Sequence, residues 1–505
     1  MNYFDWIGKW SVYTPDKKAV ASVDTGTAYT YRELNDLSVQ LENHLRTEYS
    51  IEKEDRIAVL ASHCPEYLIL FIAAQRLGAI LVPLNYRASV SELEYCIKDV
   101  EPSLVIFEKA YQPKTVQLRE KVYFNQVEIS QIFEAASREN SEVIPAEIEP
   151  EQPIFIFYTS GTTGKPKGVL YTNRMLFWNS LNTSVQLEIT SADFTLNALP
   201  PYHTSGWNVL LLPMLHRGAR VDFLKAFKPK KVLDYIQNNS ISLFLAIPTM
   251  LRMMVIHQAF QHFKAPELKY IVVGGEDLSI SIIDKWAEKG ILLRQGYGLT
   301  EAGPCITSLH HHDALWKKGS IGKPNFYVDY KIINDEDREV LAGEAGELYL
   351  RGNIVTPGYW NNSAYTLEKI KDGWFQTGDI VRIDSEGFLY MVGRKNQMFI
   401  SGGENIYPLE IENVLLKKNL VKEAAVIGVE DENWGEAGVA FLVGNIQNLN
   451  EEELQEKLKD YLASYKIPRH IVFLNSLPKS GIGKIDRKQL KKMYKFLQDE
   501  KKNII

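Results

Sequence analysis

From about residue 55 to residue 300 the sequence alternates between two kinds of segment. Short β-rich runs (Arg56 to Ala61, Leu104 to Phe107, Ile154 to Phe157, Leu243 to Ile247, Tyr270 to Val273) are separated by helix-length amphipathic stretches. Examples of the latter are Glu66 to Leu77, Lys230 to Asn238 and Ser281 to Glu288. Strands that alternate with helices have few packing solutions, and the expected one is α/β layers built on largely parallel sheets. In such folds ligands gather at the carboxyl ends of strands. Gly274, Gly275, Gly296 and Gly298 follow predicted strands and are therefore candidate site positions.

A chain of 505 residues exceeds one compact core, so two or more domains are expected. After residue 320 the character changes. Tyr330 to Ile333, Gly346 to Leu350 and Phe388 to Val392 read as strands joined by acidic and glycine-rich turns, an antiparallel β subdomain. From about Arg394 a small α+β unit follows, with a helix near Pro408 to Lys417, strands at Ala424 to Val429 and Val439 to Val443, and a charged helix at Glu451 to Leu462. The net charge of −6 gives no electrostatic case for nucleic acid. Cys64, Cys96 and Cys305 are odd in number and far apart, which fits a reducing cytoplasm better than a disulfide framework. The first residues show no signal peptide, and the most apolar stretch, Tyr67 to Pro83, is interrupted by Gln75 and Arg76 and is too short to span a bilayer. His310-His311-His312 is read as surface, on the expectation that adjacent histidines in a loop diverge.

The strongest local signal is Tyr158-Thr-Ser-Gly-Thr-Thr-Gly-Lys-Pro-Lys-Gly-Val169, directly after the apolar run Pro153 to Phe157. Hydroxyls at Thr159, Ser160, Thr162 and Thr163, glycines at 161 and 164, and cations at Lys165 and Lys167 suit phosphate. The segment is not a Walker loop. Gly164-Lys165 is followed by Pro166, and Thr159 stands where that template needs its first glycine. Proline also blocks an immediate helix. A mobile loop rich in donors is the expectation.

Further downstream stand Tyr297-Gly-Leu-Thr-Glu-Ala-Gly303, Gly346-Glu-Leu-Tyr-Leu-Arg-Gly352, Thr377-Gly-Asp379, Gly393-Arg394, Ser401-Gly-Gly-Glu-Asn-Ile-Tyr-Pro408 and Pro478-Lys-Ser-Gly-Ile-Gly-Lys-Ile-Asp-Arg487. Together with the 158–169 segment, in this order and across nearly the whole chain, they resemble the adenylate-forming superfamily. That superfamily contains acyl- and aryl-CoA synthetases, peptide-synthetase adenylation domains and firefly-type luciferases. The resemblance implies a large N-terminal domain of stacked α/β sheets with an antiparallel β subdomain (1–393), a hinge (394–396) and a small mobile α+β domain (397–505).

It also implies a two-step reaction. A carboxylate attacks the α-phosphorus of ATP to give acyl-adenylate and pyrophosphate, and a thiol, usually CoA, then displaces AMP. By resemblance, Thr159 to Lys167 hold the departing phosphates, and Gly161 and Gly164 give that loop its freedom. Thr300 meets the α-phosphate, and Glu301 binds Mg²⁺. Tyr297 stacks on adenine, with Gly274, Gly275, Glu276, Gly296 and Gly298 beside the nucleotide. Asp379 and Arg394 hold the ribose. Lys484 enters from the C-terminal domain for the adenylation step alone. Ser401, Gly402, Gly403 and Glu404 line the CoA tunnel after that domain rotates. Asn396 stands at the hinge, where the family usually has Asp or Lys.

The segment Pro200 to Asn208 corresponds to the border of the acyl pocket, with His203 either a gate with a catalytic part or a packed imidazole. Trp207, Ala246, Gly298 and Ala302 are the other pocket candidates. No Asp stands in that segment to pair with a substrate amine, and no Lys or Arg stands there, in 246–249 or in 296–304 to pair with a second carboxylate. A fatty acid of medium to long chain is slightly favoured over an aryl acid. Loading of a carrier protein, a 2-succinylbenzoate-type ligase, a luciferase-like oxygenase and a silent nucleotide binder are the alternatives. The expected partners are the small acid and CoA, without nucleic acid or a membrane span, and a homodimer is an arrangement to test.

Overall fold

The computed structural model describes residues 4–139, 148–160, 166–276, 278–402, 404–417, 420–431, 434–444, 451–479 and 485–502, with backbone alone at 160, 417 and 499–502. The described chain forms two compact units. The first comprises Met1–Leu278, Ile282–Tyr330 and Leu350–Gln376; the second comprises Ser279–Ser281, Lys331–Tyr349 and Thr377–Ile505.

Two sheets organise the first unit. A six-stranded sheet runs in the order Gln126–Glu128, Leu104–Phe107, Arg56–Leu60, Ile80–Pro83, Pro153–Ser160, Pro166–Thr172. It is parallel except for its last pair. Both of its faces are covered. Ile57, Val59, Phe155 and Phe157 enter one apolar core, while the alternate residues Ala58, Leu60 and Ile156 enter another. This explains why these strands are apolar throughout. A nine-stranded sheet has a parallel centre, Phe194–Asn197, Leu243–Ala246, Tyr270–Val273 and Leu293–Tyr297 among its strands, and antiparallel strands at both ends.

The helix Pro65–Leu77 contributes to the larger core, and every residue of it except Glu66 is buried. Proline opens it and Gly78 closes it at φ +74°, where a Cβ would lie 2.3 Å from Gln152 Nε2. Gln75 and Arg76 near its end are satisfied inside the protein. Gln75 donates to Asn173 Oδ1 at 2.7 Å, and Arg76 pairs with Asp5 at 3.0 Å and donates to Asn35 Oδ1 at 2.8 Å. The apolar stretch that is too short for a bilayer is thus a core helix followed by the strand Ile80–Pro83. Among the described residues no helix is long and apolar enough to cross a membrane.

An antiparallel sheet follows in the order Asp329–Ile333, Ala345–Arg351, Trp374–Ile383, Ile370–Lys371, with Leu389–Arg394 on Trp374–Ile383. Within the second unit a further sheet runs Glu404–Ile406, Phe399–Ser401, Gly435–Val443, Glu423–Asp431, and His470–Phe473 pairs in parallel with Gly435–Val443. Alternation again separates two cores. Ala424 and Val426 pack with Ile411 and Leu415 of the helix Pro408–Lys417, whereas Ala425 and Ile427 pack with Leu490 and Tyr494 of the helix Arg487–Lys502.

Removing the guanidinium of Arg76 leaves Asp5 without its cation in a mostly buried position. Arg76→Ala should lower stability by about 3 kcal/mol, read as an earlier first transition in urea. An unchanged transition would show that the pair is not what holds the helix end.

Candidate active site

Tyr158-to-Val169 is mostly hairpin rather than loop. Pro153–Ser160 continues three residues into the motif and the chain returns as Pro166–Thr172, with Thr159 opposite Lys167 and Ser160 opposite Pro166. Thr159 Oγ1 donates to the Lys167 carbonyl at 3.5 Å. Tyr158 is structural: its hydroxyl donates to Asp99 Oδ2 at 2.5 Å, and burial and that carboxylate push the phenol well up. Gly161, Thr162, Thr163, Gly164 and Lys165 lie outside the described residues.

The outer edge of the hairpin carries a second segment. Leu170 N–H donates to Gly358 O at 3.1 Å and Trp360 N–H to Gly168 O at 2.8 Å, while Thr356 Oγ1 donates to Leu170 O at 2.6 Å. Thr356 N–H also donates to the carbonyl of Glu301 at 2.8 Å. Glu301 sits in the short 3-10 turn Thr300–Ala302, just past the carboxyl end of the strand Leu293–Tyr297, and its Oε1 accepts from the Tyr359 hydroxyl at 3.0 Å. Burial first, and then Glu301, raise the Tyr359 phenol far above its ordinary range, so it stays a donor. Lys167 lies over the Tyr365 ring, 4.0 Å from its centroid. Burial holds the Lys167 ammonium below its usual range, Lys369 adds to this, and Glu368 and Glu301 oppose it. Hairpin cation, carboxylate and phenol therefore form one cluster. Tyr359 and Tyr365, with ring centroids 4.8 Å apart, were not among the sequence candidates. The available signal was the Pro-Gly-Tyr-Trp run at 357–360, an aromatic pair after a turn.

In the second unit, Asp379 stands opposite Arg394 in register, and its Oδ1 lies 3.0 Å from Arg394 Nε. An Asp at the end of Thr-Gly-Asp can cap a turn with its own carboxylate. The turn is instead served by Thr377, whose Oγ1 accepts from the Asp379 N–H at 3.0 Å, and by Glu347, which accepts from the Gly378 N–H at 3.1 Å. The Asp379 carboxylate is thereby kept for Arg394, which is half-exposed. Asn396 is exposed in the 3-10 turn Lys395–Gln397. Ser401 is buried at the end of Phe399–Ser401. Gly402 has φ +60°, and a Cβ there would sit 2.7 Å from the Trp434 ring. Glu404 is exposed, and Gly403 and Lys484 lie outside the described residues. The ends of the Lys484 loop are described: Lys479 bridges Ile485, and Arg487 Nη2 pairs with buried Glu412 at 2.5 Å.

The remaining candidates belong to the first unit. Gly274 and Gly296 are close backbone approaches, since a Cβ would meet Gly296 O at 3.2 Å and Thr307 O at 2.9 Å respectively. Gly275 needs its φ of +91°. Glu276 Oε2 accepts from Thr249 Oγ1 at 3.4 Å. Tyr297 is half-buried, paired in register with Thr307. His203 is half-buried against Tyr202, ring centroids 4.6 Å apart. Trp207 is fully buried against His63, Tyr67, Phe71 and Phe155, its indole donating to Pro201 O at 2.7 Å. Ala246 and Ala302 are also fully buried. Gly298 is small because Pro304 O occupies the place of a side chain, 1.6 Å from an ideal Cβ.

Residues 9–360 match the family described as AMP-binding enzyme, and residues 410–484 match the AMP-binding enzyme C-terminal domain. The chain is similar to a feruloyl-CoA synthase of Amycolatopsis sp. (33% identity, covering 97% of this chain and 99% of that protein). It is similar to a long-chain-fatty-acid–CoA ligase of Mycobacterium tuberculosis (32% identity, 95% and 96%). Among solved structures, the o-succinylbenzoate coenzyme A synthetase of Bacillus subtilis in complex with ATP and magnesium ion superposes with a TM-score of 0.87 (30% identity, 96% and 99%).

Gly298→Ala must move the backbone of Pro304 or of the turn that carries Glu301. Activity should fall on the order of 10²-fold, the size of effect that a displacement of about 1 Å produces at a reacting centre, as read by steady-state kinetics. Parent-like kinetics would show that the turn tolerates the shift.

Proposed function

The chain belongs to the AMP-binding enzyme family, and we propose that the acid it activates has an apolar body, a fatty acid of medium to long chain or an aryl acid. It is an AMP-forming acid–CoA ligase that uses ATP with Mg²⁺ and takes CoA as its thiol substrate. The substrate reading is supported by the lack of Lys, Arg and Asp in Pro200 to Asn208 and by the names of relatives that act on long-chain fatty and feruloyl acids. Three free cysteines, two of them buried, support a reducing, cytoplasmic setting.

The chemistry must bring two anions together. The acid's carboxylate oxygen bonds to the α-phosphorus of ATP as the bond to pyrophosphate breaks. The CoA sulfur then bonds to the acyl carbon, and AMP leaves with the carboxylate oxygen. Positioning and cations account for most of such a rate. The observation that carries the reading is the cluster of Lys167, Glu301 and Tyr359 where the hairpin meets the end of Leu293–Tyr297. In it Lys167 and Thr159 face the departing phosphates, and Thr300 the α-phosphate. Glu301 offers a hard oxygen donor held by a phenol, which fits Mg²⁺. Bound there, that ion would neutralise phosphate charge. Tyr297 stacks on adenine, with Gly274, Gly275 and Glu276 beside it. Asp379 and Arg394, already paired with each other, bind the ribose hydroxyls. Lys484 bridges carboxylate and α-phosphate, while Ser401, Gly402, Gly403 and Glu404 serve CoA after a rotation at Asn396 between 1–393 and 397–505.

A pyrophosphate-release screen over carboxylic acids, with mass detection of the CoA product, tests the substrate. Fatty and aryl acids should turn over; release with amino acids or dicarboxylates alone would overturn the reading. Lys484→Ala should slow acyl-adenylate formation on the order of 10²–10³-fold while supplied acyl-adenylate still becomes thioester. An equal loss in both half-reactions would contradict its role. Tyr359→Phe removes the phenol's hydrogen bond to the Glu301 carboxylate and should raise the Mg²⁺ needed for half-maximal rate about tenfold. An unchanged Mg²⁺ dependence would remove Glu301 from the metal's shell.

A further inference from the structure

Beyond Leu309 the chain winds tightly. Asp313 N–H donates to His310 O at 3.0 Å and Ala314 N–H to His311 O at 3.4 Å. Successive side chains on a wound segment fan by roughly 100° instead of alternating across a strand. The expectation that the three histidines diverge is therefore corrected. Their ring centroids lie 4.0, 4.2 and 5.0 Å apart, and one ligand nitrogen from each ring lies within 4.8 Å of the others.

Two further observations point to a ligand. His311 Nδ1 is buried and has no hydrogen-bond partner among the described residues. The carboxylate of Glu188 stands 3.4 Å from His310 Nε2, supplying negative charge beside the rings. The base of the turn is firm: Leu309 N–H donates to Gln295 O at 2.7 Å and Leu309 O accepts from Arg294 Nε at 2.9 Å.

We propose that His310, His311 and His312, with Glu188 as an oxygen ligand, form a binding site for a divalent transition ion such as Zn²⁺, Ni²⁺ or Cu²⁺. Imidazole suits these ions, whereas Mg²⁺ demands an oxygen shell, so the site does not compete with Glu301 for the reaction's cation. Metal–nitrogen bonds of about 2.0–2.1 Å in a tetrahedron bring ligand nitrogens to roughly 3.4 Å from one another. Rotation of the exposed His312 ring supplies that closure.

Zn²⁺ titrated calorimetrically into the intact, untagged protein in excess Mg²⁺ tests the site. One equivalent should bind. His310→Ala and His312→Ala should each weaken binding by at least about tenfold, Glu188→Gln by a similar factor, and the double histidine variant should abolish it. Co²⁺ in place of Zn²⁺ should give a visible absorption band that the double variant lacks. Melting curves of the metal-free variants that match the parent exclude misfolding as the cause. Binding that is absent at micromolar Zn²⁺, or unaltered in the double variant, would overturn the proposal.

Discussion

The first unit depends on a helix with no face for water. All of Pro65–Leu77 except Glu66 is buried, so its neighbours have to supply apolar surface nearly all round and partners for Gln75 and Arg76. Phe71 stacks on Phe155 of the six-stranded sheet at 4.8 Å and meets Trp207 at 5.5 Å. Trp207 in turn lies 4.5 Å from His63, whose burial lowers its pKa to about 3 and keeps it a neutral packing group. The course of Pro200 to Asn208, the segment that carries His203, is thus set by core packing. Asn197 adds to this by donating to Gly206 O at 2.9 Å.

On this frame the charged cluster is built at an edge. A hairpin strand alone would leave its outer hydrogen-bonding groups open. The 356–360 segment closes them and, through Thr356 and Tyr359, holds the backbone and the carboxylate of Glu301. One stretch of chain therefore couples the phosphate-type hairpin to the metal-type carboxylate. The electrostatics follow from burial: Lys167 is held below its usual range, and the Tyr359 phenol is held above its own and so stays protonated and donating to Glu301.

Period-two and helical patterns made most elements legible. Leu104–Phe107, Tyr270–Val273 and Pro408–Lys417 fall where the pattern places them, because buried strands and amphipathic helices write their burial into residue type. The hairpin at Tyr158 to Val169 was read as a loop because Gly, Thr and Lys carry no strand pattern. Its strands pair with each other, Thr159 opposite Lys167, and its outer edge is closed by Gly358, almost two hundred residues beyond Leu170. Tyr359 and Tyr365 were illegible for the same reason: their meaning lies in what they touch. Gly298 was read as room for a substrate tail, whereas the space belongs to Pro304 O, a close approach invisible in one dimension. The histidine turn was misread because direction in a loop depends on backbone winding rather than on spacing.

Acyl-adenylate chemistry is the point on which these assignments converge. It asks for phosphate donors, a carboxylate for the metal, a ribose-binding pair and a late-entering lysine, and on the proposed reading each role falls to a residue of this chain. The most direct measurement follows oxygen. A substrate acid labelled with ¹⁸O in its carboxylate should pass one labelled oxygen to AMP when the CoA thioester forms. Label retained outside AMP, or ADP and phosphate formed in place of AMP and pyrophosphate, would contradict attack at the α-phosphorus.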